Sequence, residues 1–238
     1  TLDADLFAKV DAVYQQRDAL NLSTEEAMLL ENTWLGFVRN GARLNAADQE
    51  KLKQIDSEAA SIGPQYSDNN LKATNDFIMW ATEEEVAGLP ETALAQARAT
   101  AAEKGGEKPY AFTLHAPSLG PALTYLDRRD LREILWRASA DLAYGGLYDN
   151  RNIVLDIVRL RSERAKLLGF NSHADYVLDR RMAKTVTKVK SFLSNLVAAA
   201  KPRAAKELED LKEFAGVKEL KPWDLSYYSE KLRQAKYA

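Results

Sequence analysis

Apolar side chains recur every three or four positions through most of this 238-residue chain, and that spacing constrains its fold more than any other feature. A period near 3.6 lines one face of an α-helix, whereas a half-buried strand alternates with a period of two. Leu2, Leu6, Val10, Val13 and Leu20 form a first stripe, and Leu29, Leu30, Trp34, Phe37 and Val38 a second. Leu52, Ile55, Ala59, Ile62 and Tyr66 mark a long third helix running to about Thr74. Leu131, Ile134, Leu135, Ala138 and Leu142 form one further face, and Ile153, Ile157, Leu160, Leu167 and Leu168 another. Val186, Val189, Phe192, Leu193 and Leu196 open a long helix that continues through Leu208, Leu211 and Phe214. Trp223 begins a last one with Tyr227, Leu232 and Tyr237. Roughly 70% of the chain reads as helix, against a base rate near one third.

Punctuation supports the same reading. Ser23 and Glu26 have capping-box spacing, as do Thr82 and Glu85, so each pair can satisfy exposed backbone donors at a helix start. Pro90 suits a first helical position, Ser172 caps a short helix, and Gly41, Gly169 and Gly216 are natural stops. Pro202 predicts a kink or division of the long helix, because proline lacks a backbone donor and clashes with the preceding turn. The period switches to two only around residues 76–81 and 109–115, where Tyr110, Phe112 and Leu114 alternate with Ala111, Thr113 and His115. The expected fold is mostly α: one multi-helical lobe over residues 1–238, with a small sheet in an excursion at about 76–116.

Charge and cysteine content narrow the function classes. The 33 basic and 35 acidic side chains leave a formal charge of -2, so no strong field draws nucleic acid or a membrane surface. No apolar run approaches the roughly 20 residues of a membrane span. The absence of cysteine removes disulfides and thiolate metal sites, and fits cytoplasm or periplasm alike. The only histidines, His115 and His173, are 58 positions apart and cannot form a helical His-Glu-x-x-His pair. Residue 1 is threonine and the last amphipathic segment runs into Ala238 without a stop, so both ends read as cut.

A series of segments, in order, carries a family resemblance: YAFTLHAP from Tyr110, LREILWRAS from Leu131, RLRSERAKLLGF from Arg159, HADYVLDRRMA from His173, and PWDLSYYSEKLRQAKYA from Pro222. With the opening LDADLFAKVDAVYQQRDALNLSTEEAMLLENTWLGF, the chain resembles the thimet-oligopeptidase family of zinc peptidases, nearest its oligopeptidase A and peptidyl-dipeptidase branch. The resemblance implies one helical lobe of a two-lobed enzyme with a deep channel, which admits short peptides and excludes folded proteins. It implies a zinc held by two histidines and a glutamate, with a glutamate as base for the metal-bound water. No position of this chain matches those residues. The implied chain is therefore a fragment, mostly channel wall, inactive alone and binding no zinc itself. Its partners would be short peptides and the missing catalytic lobe of the same polypeptide, in the cytoplasm or, alternatively, the periplasm. A metal-free helical peptide-binding or scaffold module is the competing reading.

The sequence assigns no catalytic or metal residue and leaves substrate-binding residues unknown, but several side chains have the chemistry for a site. His115, on the expected strand, could meet a peptide backbone along a sheet edge, or simply occupy a polar strand face. His173 sits at a helix start, where imidazoles pack or cap. Glu83, Glu84 and Glu85 could pass for metal ligands, but acids in a first helical turn meet the dipole favourably. Arg128, Arg129, Arg132, Arg137, Arg159, Arg161 and Arg164 could grip a peptide carboxylate, yet Asp130, Glu133 and Glu163 are interleaved as ordinary surface partners. Tyr227, Tyr228 and Tyr237 read as aromatic packing with Trp223. Helices facing a missing lobe should expose apolar side chains, with Trp223, Tyr227 and their neighbours near the cut end as the expected patch.

Overall fold

A computed structural model describes residues 3–237; Leu2, first in the leading stripe, lies outside them. The described chain is mostly α, 72% helical, with a two-stranded sheet. It divides into two compact units. The first contains residues 1–64 and 153–190, and the second residues 65–152 and 191–238.

In the first unit, α1 (Ala4–Gln15) packs on α2 (Thr24–Arg39). Asp3 caps α1 by accepting from Leu6 N, and Ser23 with Glu26 completes the full capping box on α2. The two helices are joined by aromatics: Tyr14 stacks on Trp34 at 4.0 Å between ring centroids, and the Trp34 indole donates to Asp11 Oδ1 at 2.7 Å. Leu29, expected inside, is exposed, and Trp34 is the buried side chain of this helix. α3 (Ala46–Asp76) runs through Pro64 without a break. α7 (Arg151–Leu167) and α8 (His173–Leu178) complete the unit. Arg159 reaches Glu58 and Arg164 reaches Asp56, both at 2.7 Å. Arg39 donates to Asp179 and to Tyr176 O at 2.6 Å each, with its guanidinium over the Tyr176 ring.

The second unit holds the larger core. Strands β1 (Met79–Ala81) and β2 (Tyr110–Phe112) pair antiparallel, with Met79 opposite Phe112 and Ala81 opposite Tyr110. They are shorter than the segments 76–81 and 109–115. α3 consumes residue 76, and α5 (Ala116–Tyr125) starts directly after His115. α5 is absent from the sequence reading, since Pro117, Gly120 and Pro121 hide it; Pro117 falls in its first turn, where a missing donor costs nothing. Ser118 Oγ accepts from Thr113 N and turns the chain off the ladder. Thr82 and Glu85 keep half of their box, Thr82 N donating to Glu85 at 2.8 Å, but only a single 3₁₀ turn at Glu84–Val86 follows. Pro90 is the N-cap of α4 (Glu91–Lys104), one position before the first turn.

Around this sheet, Met79, Val86, Leu89, Ala97, Tyr110, Phe112, Ala122, Leu126, Leu131 and Leu135 form one apolar cluster. α4 lies against β2, and α5 against α4. α6 (Arg129–Ala140) and α10 (Pro222–Tyr237) close the other side, α10 touching both α5 and α6. α9 (Val186–Ala215) passes Pro202 as one helix. Ala198, Ala199, Ala200, Ala204 and Ala205 flank that proline, and such strong helix formers hold the helix across one missing hydrogen bond.

One turn has no room for a side chain. Gly88 has φ +90°, and a Cβ there would lie 2.3 Å from Tyr125 O and 2.7 Å from Asp127 Oδ1. Asp127 N donates to Ala87 O across the same junction. Gly88→Ala is expected to destabilise the protein by about 2 kcal/mol or more, through positive-φ strain plus backbone collision. Urea denaturation should show a lower midpoint with an unchanged slope.

Candidate functional site

The arginines near residue 130, one of the two groups that could grip a carboxylate, already hold one. Arg132 and Asp224 are each only 1% exposed. Arg132 donates to Asp224 Oδ1 at 3.2 Å, to Trp223 O at 3.0 Å and to Leu126 O at 2.6 Å. Arg129 forks onto both Asp224 oxygens at 2.9 and 2.8 Å, and Lys221 N adds a third donor at 3.0 Å. Burial alone would raise the Asp224 pKa; the Arg129 fork and the Lys221 amide outweigh it and hold the carboxyl below its ordinary value. The Tyr227 ring covers the Arg132 guanidinium at 4.0 Å. Tyr227 donates to Asp127 Oδ1 at 2.8 Å, and burial together with that carboxylate pushes its phenol up to about 12. This is an internal α6–α10 lock.

Most of the remaining candidates also have internal partners. Arg128 pairs with Asp130, and Arg137 with Glu133 while lying over Trp223. Glu83 accepts from the buried Tyr110 hydroxyl at 2.6 Å, and Glu85 accepts from Lys108 at 3.2 Å. Trp223 is 6% exposed and Tyr227 half-buried, so neither forms the expected apolar patch; docking of α10 on α6 covers both. Their neighbours Leu225 and Tyr237 on α10 are exposed, and α9 carries a further exposed apolar run at Phe192, Leu193, Leu196 and Val197.

His115 is not on a strand: it is the residue before α5. It lines a small polar depression of about 250 Å³ with Asn75, Gln96, Thr100, Glu103 and Ser118. Its Nε2 is 3.1 Å from Asn75 Oδ1, a contact in which the Nε2–H tautomer donates to the amide oxygen. His173 stacks on Tyr176 at the start of α8, where burial first, then Arg161 and Arg164, disfavours its protonation. His115 belongs to the second unit and His173 to the first. Among the described residues no three His, Cys, Asp or Glu side chains converge for a metal. The donors present therefore do not fit a zinc site of two histidines and a glutamate.

Sequence reading passed over Asp224, which lies between Trp223 and Tyr227 with nothing to mark it. It also passed over Asn150, which is buried and bonds Tyr66 O, Asn69 and Asn70. Two outcomes test the lock. Arg132→Met should cost about 3–5 kcal/mol, since removing one partner strands a buried charge. For Asp224 the pKa is depressed, so its contribution is present above the unfolded aspartate value of about 3.9 and is lost as pH falls through the folded value. The stability gap between wild type and Asp224→Asn, measured by denaturant titration, should therefore narrow as pH drops below about 4.

Comparison with known proteins places this geometry. Residues 122–238 match the model of peptidase family M3. The chain is 38% identical to oligopeptidase A of Haemophilus influenzae over 237 residues, which is 95% of this chain and 35% of that protein. It is 33% identical to dipeptidyl carboxypeptidase of Escherichia coli, over 99% of this chain and 36% of that protein. A probable cytosolic oligopeptidase A of Arabidopsis thaliana is 35% identical, over 95% and 34% respectively. The chain thus spans about a third of the length of these relatives. No helix among the described residues is long and apolar enough to cross a membrane. The ordered likeness across nearly the whole chain, the matched family model and the helical fold agree with the resemblance read from the sequence: this chain belongs to peptidase family M3, the thimet-oligopeptidase family.

Proposed function

We propose that this chain is the helical part of a zinc-dependent oligopeptidase or peptidyl-dipeptidase that hydrolyses short peptides in the cytoplasm. In this reading it contributes channel wall and no chemistry. The observation that carries it is the likeness to oligopeptidase A and dipeptidyl carboxypeptidase over more than nine tenths of this chain. The internal pairing of nearly every candidate arginine and glutamate supports a structural role for them. The name of the Arabidopsis relative supports the compartment. Zinc would be held by residues outside these 238, and when bound it would supply an activated water to the scissile amide. This chain's own contribution would be steric and electrostatic: rigid helices around the space where a peptide lies.

The complete reading frame and its protein test this. A His-Glu-x-x-His motif is expected in the rest of the frame, and the full-length protein should cleave a quenched fluorescent peptide of five to ten residues, with loss of activity on chelation. Residues 1–238 alone should neither cleave it nor hold one equivalent of zinc. A frame without the motif, paired with tight peptide binding by a metal-free protein, would sink the peptidase reading in favour of a helical binding module.

A further inference from the structure

α8 is a six-residue helix, too short to stand alone in water, so its place is set by what holds it. Arg39 of α2 holds it at two points. The guanidinium donates to Tyr176 O and to Asp179 Oδ2 at 2.6 Å each, and lies 4.1 Å over the Tyr176 ring. Arg164 of α7 approaches the same ring at 5.3 Å, and Phe170 meets it edge-on at 5.3 Å. His173, the first residue of α8, stacks on Tyr176 with 6.3 Å between ring centroids. The imidazole therefore belongs to a cluster that already contains two guanidiniums. Both are poorly solvated, Arg39 at 15% and Arg164 at 20% exposure, so water screens them incompletely.

We propose that His173 is a pH-sensitive latch, whose protonation loosens α8 and the following residues 179–185 from α2 and α7. An imidazolium on an otherwise bare tyrosine would gain from the negative face of the ring. Here two guanidiniums already face that ring, and a third cation adds like-charge repulsion. α7 presents Arg161 and Arg164 to the imidazole, and α2 presents Arg39 across Tyr176. The nearby carboxylates have partners: Asp56 of α3 accepts from Arg164, Asp179 from Arg39, and Asp175 from the Ser172 hydroxyl. Burial first, then Arg161 and Arg164, holds the His173 pKa below its ordinary value. A depressed histidine pKa favours the neutral ring in the docked state. Docking is therefore full above the unfolded value of about 6.5 and weakens as pH falls toward the folded value. One pH unit below the unfolded value, the open population rises by at most about tenfold.

Two exchange measurements on the full-length protein test the latch. Hydrogen exchange at the imidazole C2 position, read by mass spectrometry on the peptide carrying His173, titrates that ring in the wild type and is expected to give a pKa below about 6.5. Amide exchange over 173–185, corrected for the intrinsic rate, should quicken about three- to tenfold between pH 7.5 and 5.5. His173→Phe keeps a ring for the stack but takes up no proton, so its corrected exchange should change by less than about 1.5-fold over the same range. His173→Lys, charged throughout, should exchange fast at both pH values. A wild-type ring that titrates at or above about 6.5 overturns the inference. So does corrected amide exchange that is the same at both pH values. An acid response that His173→Phe retains overturns it too, since that assigns the response to another group. Should neither variant fold, the wild-type ring titration and amide exchange still decide.

Discussion

The buried pair of Arg132 and Asp224 is the constraint on which the second unit depends. Taking a guanidinium and a carboxylate out of water is costly, and the cost is offset only when every lone pair and donor is met. Here it is met by backbone as much as by charge. Arg132 ties the end of α5 at Leu126 and Asp127 to the start of α10 at Trp223, and Asp224 ties α10 back to α6 through Arg129. Three helices that meet over an apolar core are thereby fixed in register. Apolar packing is non-directional and could tolerate a slide of one turn; a forked ion pair with carbonyl partners could not.

The same economy of charge appears in the first unit, where Arg39, Arg159 and Arg164 each bind residues more than 100 positions away. These pairs are partly solvated and individually weak. Their effect is to orient α7 and α8 against α2 and α3, with the Arg39 guanidinium stacked on Tyr176. In a chain rich in arginine the natural suspicion is a site for an anionic ligand. The structure answers it residue by residue: the guanidiniums at 39, 128, 129, 132, 137, 159 and 164 are each already paired with a carboxylate. A protein with this pattern spends its charge on architecture and leaves apolar surface on α9.

Helices were legible because a 3.6-residue period survives in the sequence wherever one face is buried. Leu52, Leu131, Leu135 and Leu160 were all placed correctly on inner faces by spacing alone. The approximate place of the sheet was legible too, from the alternation at Tyr110 to Phe112. Its length was not, because strand ends are set by what competes for the chain next. α5 claimed His115 and ended β2 early, through a Ser118 bond that no alternation reveals. The family was also readable, since it rests on ordered segments rather than on geometry.

By itself the sequence determined the helical class, the helix starts at Ser23 and Ser172, the stops at Gly41 and Gly216, and the kinship. These follow from local rules: side-chain periodicity, caps, and backbone freedom at glycine. Tertiary structure alone decided which charges are buried and which apolar faces are not. Trp223 and Leu193 lie on helices of similar pattern, yet one is covered by Arg129, Arg137 and Trp136 and the other faces solvent. Burial belongs to the neighbour that arrives from far along the chain, and no spacing within a helix encodes that arrival.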